Sequence, residues 1–194
     1  MTGKLTVLQF IYPMLKGLGK LFGVNGKTLT ENKNAIESFY TLHATLNSGT
    51  VLDFSSLKNK KILIVNTASD CGYTPQYTEL QKLYELKKEG LEIIAFPAND
   101  FKEQEKADDA SIANFCSINF GVTFPMVKKA VVIKNENQHA VYKWLTNENK
   151  NGWNSKAPSW NFCKYLIDEN GNLTHFFEAA LSPLDSAVLK AIES

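Results

Sequence analysis

Of the side chains able to form covalent bonds in a reaction, three cysteines stand out: Cys71, Cys116 and Cys163. Cys71 lies in "VNTASDCGYTP" (65–75), in a loop that leaves an apolar run and enters a Thr-Pro pair of the kind that opens helices. A thiol in water ionises near pH ~8.5, and only the thiolate attacks. Backbone N–H groups and the positive end of a helix dipole, both expected just after Cys71, favour that thiolate. The position suits a nucleophile; an inert buried thiol is the competing reading. An odd number of widely spaced cysteines fits neither a disulfide framework nor a paired-CxxC zinc site, so reduced thiols and a cytoplasmic setting are expected. His43, His139 and His175 have no close Cys or His companion. They read as surface or packing residues, and neither a metal nor another cofactor is expected.

The 194 residues suffice for one domain with a buried core and a tail. Charged residues at 21% and hydrophobic residues at 44% are ordinary for a globular protein, and a formal charge of +1 argues against a nucleic-acid partner. All 21 basic residues are lysine, so no arginine fork is present to grip a carboxylate or phosphate. Residues 1–35 carry five lysines against Glu31 alone, whereas the remainder carries 16 lysines against 19 acids. Within that basic start, Leu5, Leu8, Ile11, Leu15, Leu18 and Phe22 recur at helical spacing in the segment 5–23. Its sharpest reading is an amphipathic helix on a membrane surface; a helix packed on its own domain, or a frayed tail, is the simpler one. Residues 24–36 are polar enough for a linker, which divides the chain into a segment 1–37 and a domain 38–194.

The elements that must position Cys71 are regular. "FYTLHATL" and "TVLDFSSL" flank Asn47, Ser48 and Gly49 as a hairpin. "KKILIVNTAS" (60–69) and "LEIIAFP" (91–97) read as strands covered on both faces. Between them a helix is expected, with Thr74 as N-cap, Pro75 in its first turn and Gly90 at its stop. Asp108 or Asp109 caps a second helix whose face holds Ile112, Phe115, Cys116 and Asn119, ended by Gly121. "FPMVKKAVVI" reads as a strand, "HAVYKWLTNENK" as one helix, and "NFCKYLI" with "LTHFFE" as a hairpin turned at Asn170-Gly171. Ser182, Pro183 and Asp185 make a capped start for a last helix. The pattern predicts an α/β domain with a mixed sheet and helices on both faces.

"VNTASDCGYTPQYTELQKLYE" resembles the peroxidatic segment of the glutathione peroxidase family, "FPANDFKEQE" its second motif and "PSWNF" its third. The resemblance covers about residues 38–192. It implies a thioredoxin-like fold, a central mixed sheet flanked by helices with an N-terminal hairpin, and cysteine-dependent reduction of hydrogen peroxide and of organic or lipid hydroperoxides. The family's site residues fall on Cys71 as attacking thiolate and on Gln104, Trp160 and Asn161. Those three can donate hydrogen bonds to a thiolate or to peroxide oxygens without adding charge.

The resemblance also implies a cycle. Peroxide oxidises Cys71 to a sulfenic acid, and Cys116, placed where thioredoxin-dependent members carry a resolving cysteine, condenses with it. The helix carrying Cys116 must then open locally. Cys163 matches no motif and reads as structural. Ala98 stands where many relatives have a further cysteine, and the glycine and proline usual around the motif glutamine are replaced in "FKEQEKA". With no arginine to hold glutathione, thioredoxin is the favoured reductant over glutathione. The resemblance also makes a monomer the expected state, because the segment between Trp144 and Trp160 is too short for the assembly loop of tetrameric relatives. A redox sensor or relay that passes oxidation to a partner is the alternative function. A non-catalytic adaptor is disfavoured because all four site residues are present.

Overall fold

The computed structural model describes residues 26–194, so the amphipathic segment 5–23 lies outside the described residues. Five strands form the main sheet: β1 (Thr28–Thr30), β4 (Lys61–Thr67), β5 (Leu91–Pro97), β6 (Lys164–Ile167) and β7 (Leu173–Phe177). Their spatial order is β1-β7-β6-β4-β5, with β4 and β5 parallel and every other pair antiparallel. All seven residues of β4 are buried, as the unbroken apolar run predicts for a central strand. The hairpin of β2 (His43–Thr45) and β3 (Val51–Asp53) forms as expected and makes a separate two-stranded sheet.

The two-residue period of the strands divides the core. Ile62, Ile64, Ile94 and Phe96 face one layer, with Phe39, Phe54, Tyr142 and Trp144. Leu63, Val65, Ile93 and Ala95 face the other. There they meet Leu80 and Leu83 of α1 (Gln76–Lys87), Ile112 of α2 (Asp109–Phe120) and Val188 of α5 (Ser186–Glu193). Each fully buried aliphatic side chain of this kind contributes roughly 1.5–3 kcal/mol. Cys71 and Cys116 belong to this second layer and Cys163 to the first.

Several local expectations hold. Asp108 caps α2 by accepting from Ser111 N at 2.8 Å, and Gly121 ends it with a left-handed φ of 63°. Of the Ser182, Pro183 and Asp185 start expected for the last helix, Asp185 is the cap, accepting from Ala187 N. The β6–β7 turn uses Gly171 at φ +86°, where an added Cβ would lie 2.8 Å from the Tyr40 ring.

Four expectations need correction. The polar stretch counted as linker contributes β1, paired to β7 through Thr28 with Phe177 and Thr30 with His175, so the sheet begins before residue 38. "FPMVKKAVVI" forms no ladder strand. Pro125 lacks a donor, and the segment divides its hydrogen bonds: Val127 N donates to Ala95 O, whereas Lys128 N donates to Thr45 O of the hairpin. It is a strap joining β5 to the hairpin. "HAVYKWLTNENK" splits into α3 (Ala140–Leu145) and α4 (Glu148–Asn151), because the Asn147 side chain accepts from Asn149 N and caps a new helix. The fourth correction concerns Thr74, which is not an N-cap.

Candidate active site

The loop after β4 carries Cys71 back under its own first turns. Thr74 Oγ1 accepts from Cys71 N at 3.1 Å, and its proton serves the carbonyls of Cys71 and Ala68 at 2.7 and 2.9 Å. Thr74 thus closes the cysteine loop instead of capping the helix. Tight backbone bonds from Thr74 N to Cys71 O and from Tyr77 N to Thr74 O wind the chain into α1, whose regular turns begin at Gln76 after Pro75.

The Cys71 side chain is buried, and Tyr73 N lies 3.4 Å from its sulfur. Burial pushes the thiol above its usual range; the Tyr73 N–H and the nearby Asn161 and Trp160 side chains pull the other way, and the neighbouring Asp70 carboxylate pushes up. The net shift is upward, against the sequence-based expectation of a thiolate favoured by the helix start. Desolvation wins because Sγ is enclosed, and a helix end acts only within its first turn.

The structure brings Trp160 and Asn161 close to Cys71, near enough for both side chains to favour its thiolate. Asn161 Nδ2 also donates to Gln104 Oε1 at 2.9 Å, which draws Gln104 into the same cluster. Gln104 O accepts from Asp70 N at 3.0 Å, so the segment carrying it is docked directly on the cysteine loop. Cys116 lies elsewhere in the same layer, buried on α2. Burial pushes its thiol up to about 12. Cys163 is buried in the other layer with Ser159 Oγ at 3.9 Å.

Two residues that organise this site are not apparent from motif reading. Asn66, buried in β4, donates through Nδ2 to Trp160 O at 2.9 Å, and its carbonyl accepts from Phe162 N at 2.6 Å. These bonds hold the Trp160–Phe162 loop, in which Phe162 has a φ of 71°. Its signal is a lone amide inside an aliphatic strand, since a buried polar group needs a partner. The second is Glu105, whose Oε2 accepts from Ser69 Oγ at 3.0 Å.

The loop before Gln104 departs from ordinary backbone geometry: Lys102 and Glu103 sit at φ 51° and 52°. Left-handed conformations disfavour residues with a Cβ. Lys102 Nζ lies 5.6 Å from the Trp160 ring centroid, and Phe101 packs on the same ring at 5.7 Å. Glu103→Gly, which removes only the exposed ion pair with Lys106, is expected to raise the urea midpoint, as read by equilibrium unfolding. A midpoint lowered by this change would show that the left-handed backbone carries no strain. A hollow of about 360 Å³ lined by Tyr73, Ser159, Trp160, Glu178, Ala179 and Ala180 opens beside the indole.

Comparison with known proteins gives concordant results. The family model for glutathione peroxidase matches residues 39–146. The glutathione peroxidase-like peroxiredoxin HYR1 of Saccharomyces cerevisiae is 40% identical over 159 residues, 81% of this chain and 96% of that protein. The crystal structure of Trgpx in apo form is 31% identical with a TM-score of 0.61, covering 81% of this chain and 96% of that one. A thioredoxin family protein from Chlorobium tepidum TLS, 14% identical, shares the fold at a TM-score of 0.58. The mixed sheet with helices on both faces is thus a thioredoxin-like fold.

Proposed function

As the chain belongs to the glutathione peroxidase family and is a thiol peroxidase, we propose that the Cys71 sulfur attacks the hydroperoxide, with Trp160, Asn161 and Gln104 as the donors around it. The observation that carries this reading is the convergence of Trp160 and Asn161 on one buried sulfur, with Gln104 held by Asn161. Attack by the thiolate forms an S–O bond and breaks the O–O bond. The displaced oxygen leaves as water or an alcohol once protonated, and Cys71 becomes a sulfenic acid. The enclosed thiol favours its proton at rest, so neutral donors aimed at sulfur are needed to hold the thiolate as it forms. Because Asn161 occupies Gln104 Oε1, the Gln104 amide hydrogens remain available to the peroxide.

Asn161→Ala removes one donor from sulfur and the anchor of Gln104. The second-order rate of Cys71 oxidation, followed by stopped-flow fluorescence, is expected to fall by about 10². An unchanged rate would remove Asn161 from the machinery.

For the second half of the cycle the reading is a Cys71–Cys116 disulfide reduced by thioredoxin. Three features support it: Cys116 shares a layer with Cys71, α2 buries only Ile112 and Cys116 among its 12 residues, and the chain has no arginine to clamp glutathione. A helix so lightly anchored opens at low cost. Purified protein supplied with hydroperoxide and either a thioredoxin system or glutathione as sole reductant tests this. Sustained turnover with thioredoxin is expected, and turnover with glutathione alone would overturn it. Absence of turnover with both would favour a relay to a partner protein.

A cytoplasmic monomer is the proposed state. Among the described residues no helix is long and apolar enough to cross a membrane. Surface contact through residues 5–23 is testable by sedimentation with anionic vesicles, comparing the full chain with a form beginning at Gly26, which keeps β1. Equal sedimentation at low salt would reject the contact.

A further inference from the structure

Lys164 of β6 has its side chain shut away from water, at 0% exposure. Its Nζ donates to two backbone carbonyls, Phe162 O at 2.8 Å and Leu181 O at 2.6 Å. Neither partner is a carboxylate. Burial pushes the ammonium from 10.5 down to about 7, but an amine keeps two hydrogens after losing its proton, so both bonds are available to either form.

The first carbonyl belongs to the turn that carries Trp160 and Asn161. Phe162 sits there in the left-handed region at φ 71°, a backbone that persists in a bulky residue only where its surroundings over-determine it. Both of its polar backbone groups are taken, the N–H by Asn66 O at 2.6 Å and the carbonyl by Lys164. Its ring meets Tyr77 of α1 edge-on at 5.4 Å. Asn66 Nδ2 holds Trp160 O, on the amino side of Asn161, and Lys164 holds the carboxyl side.

The second carbonyl belongs to a segment docked on α1. Gln76 Nε2 donates to Ala179 O at 2.7 Å, and Ser182 Oγ donates to Glu79 Oε2 at 2.6 Å. Gln76 and Glu79 lie in the first turn of α1, the helix into which the cysteine loop winds. Leu181, between these two attachments, is a firm footing. From the other end, Asn161 Nδ2 donates to Gln104 Oε1 at 2.9 Å, and Gln104 O accepts from Asp70 N of the cysteine loop at 3.0 Å. Printed hydrogen bonds therefore run from Lys164 through the Phe162 turn and Asn161 to the loop of Cys71.

We propose that Lys164 is a positioning residue for peroxide reduction: by bridging Phe162 O to Leu181 O, its amino group holds the left-handed turn in the pose that places Asn161 beside Cys71 and Gln104. This rests on the reading that Asn161 assists the oxidation of Cys71. Lys164 itself takes no part in making or breaking bonds.

The test is a double-mutant cycle on the rate of Cys71 oxidation by hydroperoxide, followed by stopped-flow fluorescence. Lys164→Met keeps the apolar stem and removes the donors. In the wild-type background it should slow oxidation by about tenfold or more, the scale of loss that a small misplacement brings. In Asn161→Ala, where no amide is left to aim, the same change should alter the rate by less than about twofold. Equal losses in the two backgrounds overturn the proposal, because lost packing or a lost nearby charge would slow both alike; so does an unchanged rate in Lys164→Met. The pH midpoint of Cys71 alkylation, read by peptide mapping, should rise in Lys164→Met and in Asn161→Ala, and no further in the double variant. A midpoint that Lys164→Met leaves unmoved overturns the positioning role. If Asn161→Ala itself oxidises at the wild-type rate, it is the role of Asn161 that fails. Should Lys164→Met not fold, nuclear magnetic resonance of protein made with nitrogen-labelled lysine decides: coupling is reciprocal, so the Lys164 signal should shift between wild type and Asn161→Ala, and an unmoved signal overturns the proposal.

Discussion

Cys71→Ser is expected to reduce hydroperoxide consumption to the uncatalysed background, a loss on the order of 10⁴ or more, with the fold unchanged. A serine hydroxyl fits the space bounded by Tyr73, Trp160 and Asn161, but it ionises far above any working pH and its oxygen is a poor nucleophile towards peroxide oxygen. The bonds that shape the loop, from Thr74 and from Asp70 N to Gln104 O, use backbone atoms of residues 68–71 and survive the change. Peroxide consumption at substoichiometric enzyme, together with circular dichroism, is the measurement. Appreciable turnover by the folded variant would move the chemistry away from Cys71.

Cys116→Ser is expected to consume the first equivalent of hydroperoxide at the wild-type rate and then stall as a sulfenic acid or overoxidise. Thioredoxin-supported turnover should be lost. Wild type treated with one equivalent should yield a monomer whose peptide map joins Cys71 to Cys116. The placement of the third thiol sharpens this test, because Cys163 lies in the opposite core layer and Ala98 offers no sulfur. A bridge from Cys71 to Cys163 would join thiols that belong to different core layers. Finding it, or wild-type cycling by the serine variant, would replace the two-cysteine scheme with a one-cysteine scheme using an external thiol.

The parts of the fold legible in the sequence are those set by short-range chemistry. β4 and β5 follow from unbroken aliphatic runs, α2 from Asp108 and Gly121, and the β6–β7 turn from Asn170-Gly171. What escaped depends on partners distant in the chain. β1 is polar and gains its strand form only from β7. The strap has strand composition, but its donors and acceptors are divided between β5 and the hairpin. Thr74 carries the composition of a cap, yet its hydroxyl is claimed by Cys71 and Ala68. At the site, motif resemblance located Cys71, Gln104, Trp160 and Asn161. It could not reveal Asn66 or Glu105, whose importance comes from enclosure, nor that desolvation outweighs the donors around Cys71.

The short strand β1 also bears on how the protein behaves in concentrated solution. One margin of the main sheet, β5, is shielded by the strap; the other depends on three exposed residues, Thr28 to Thr30, laid along β7. Cleavage within or just after β1 would bare the amides and carbonyls of a strand that ends in Phe176 and Phe177, a ready template for pairing between copies. The start of β1 is also tied to the site, because Lys27 O accepts from Glu178 N and Glu178 lines the hollow beside Trp160. A nicked preparation would therefore cloud and precipitate.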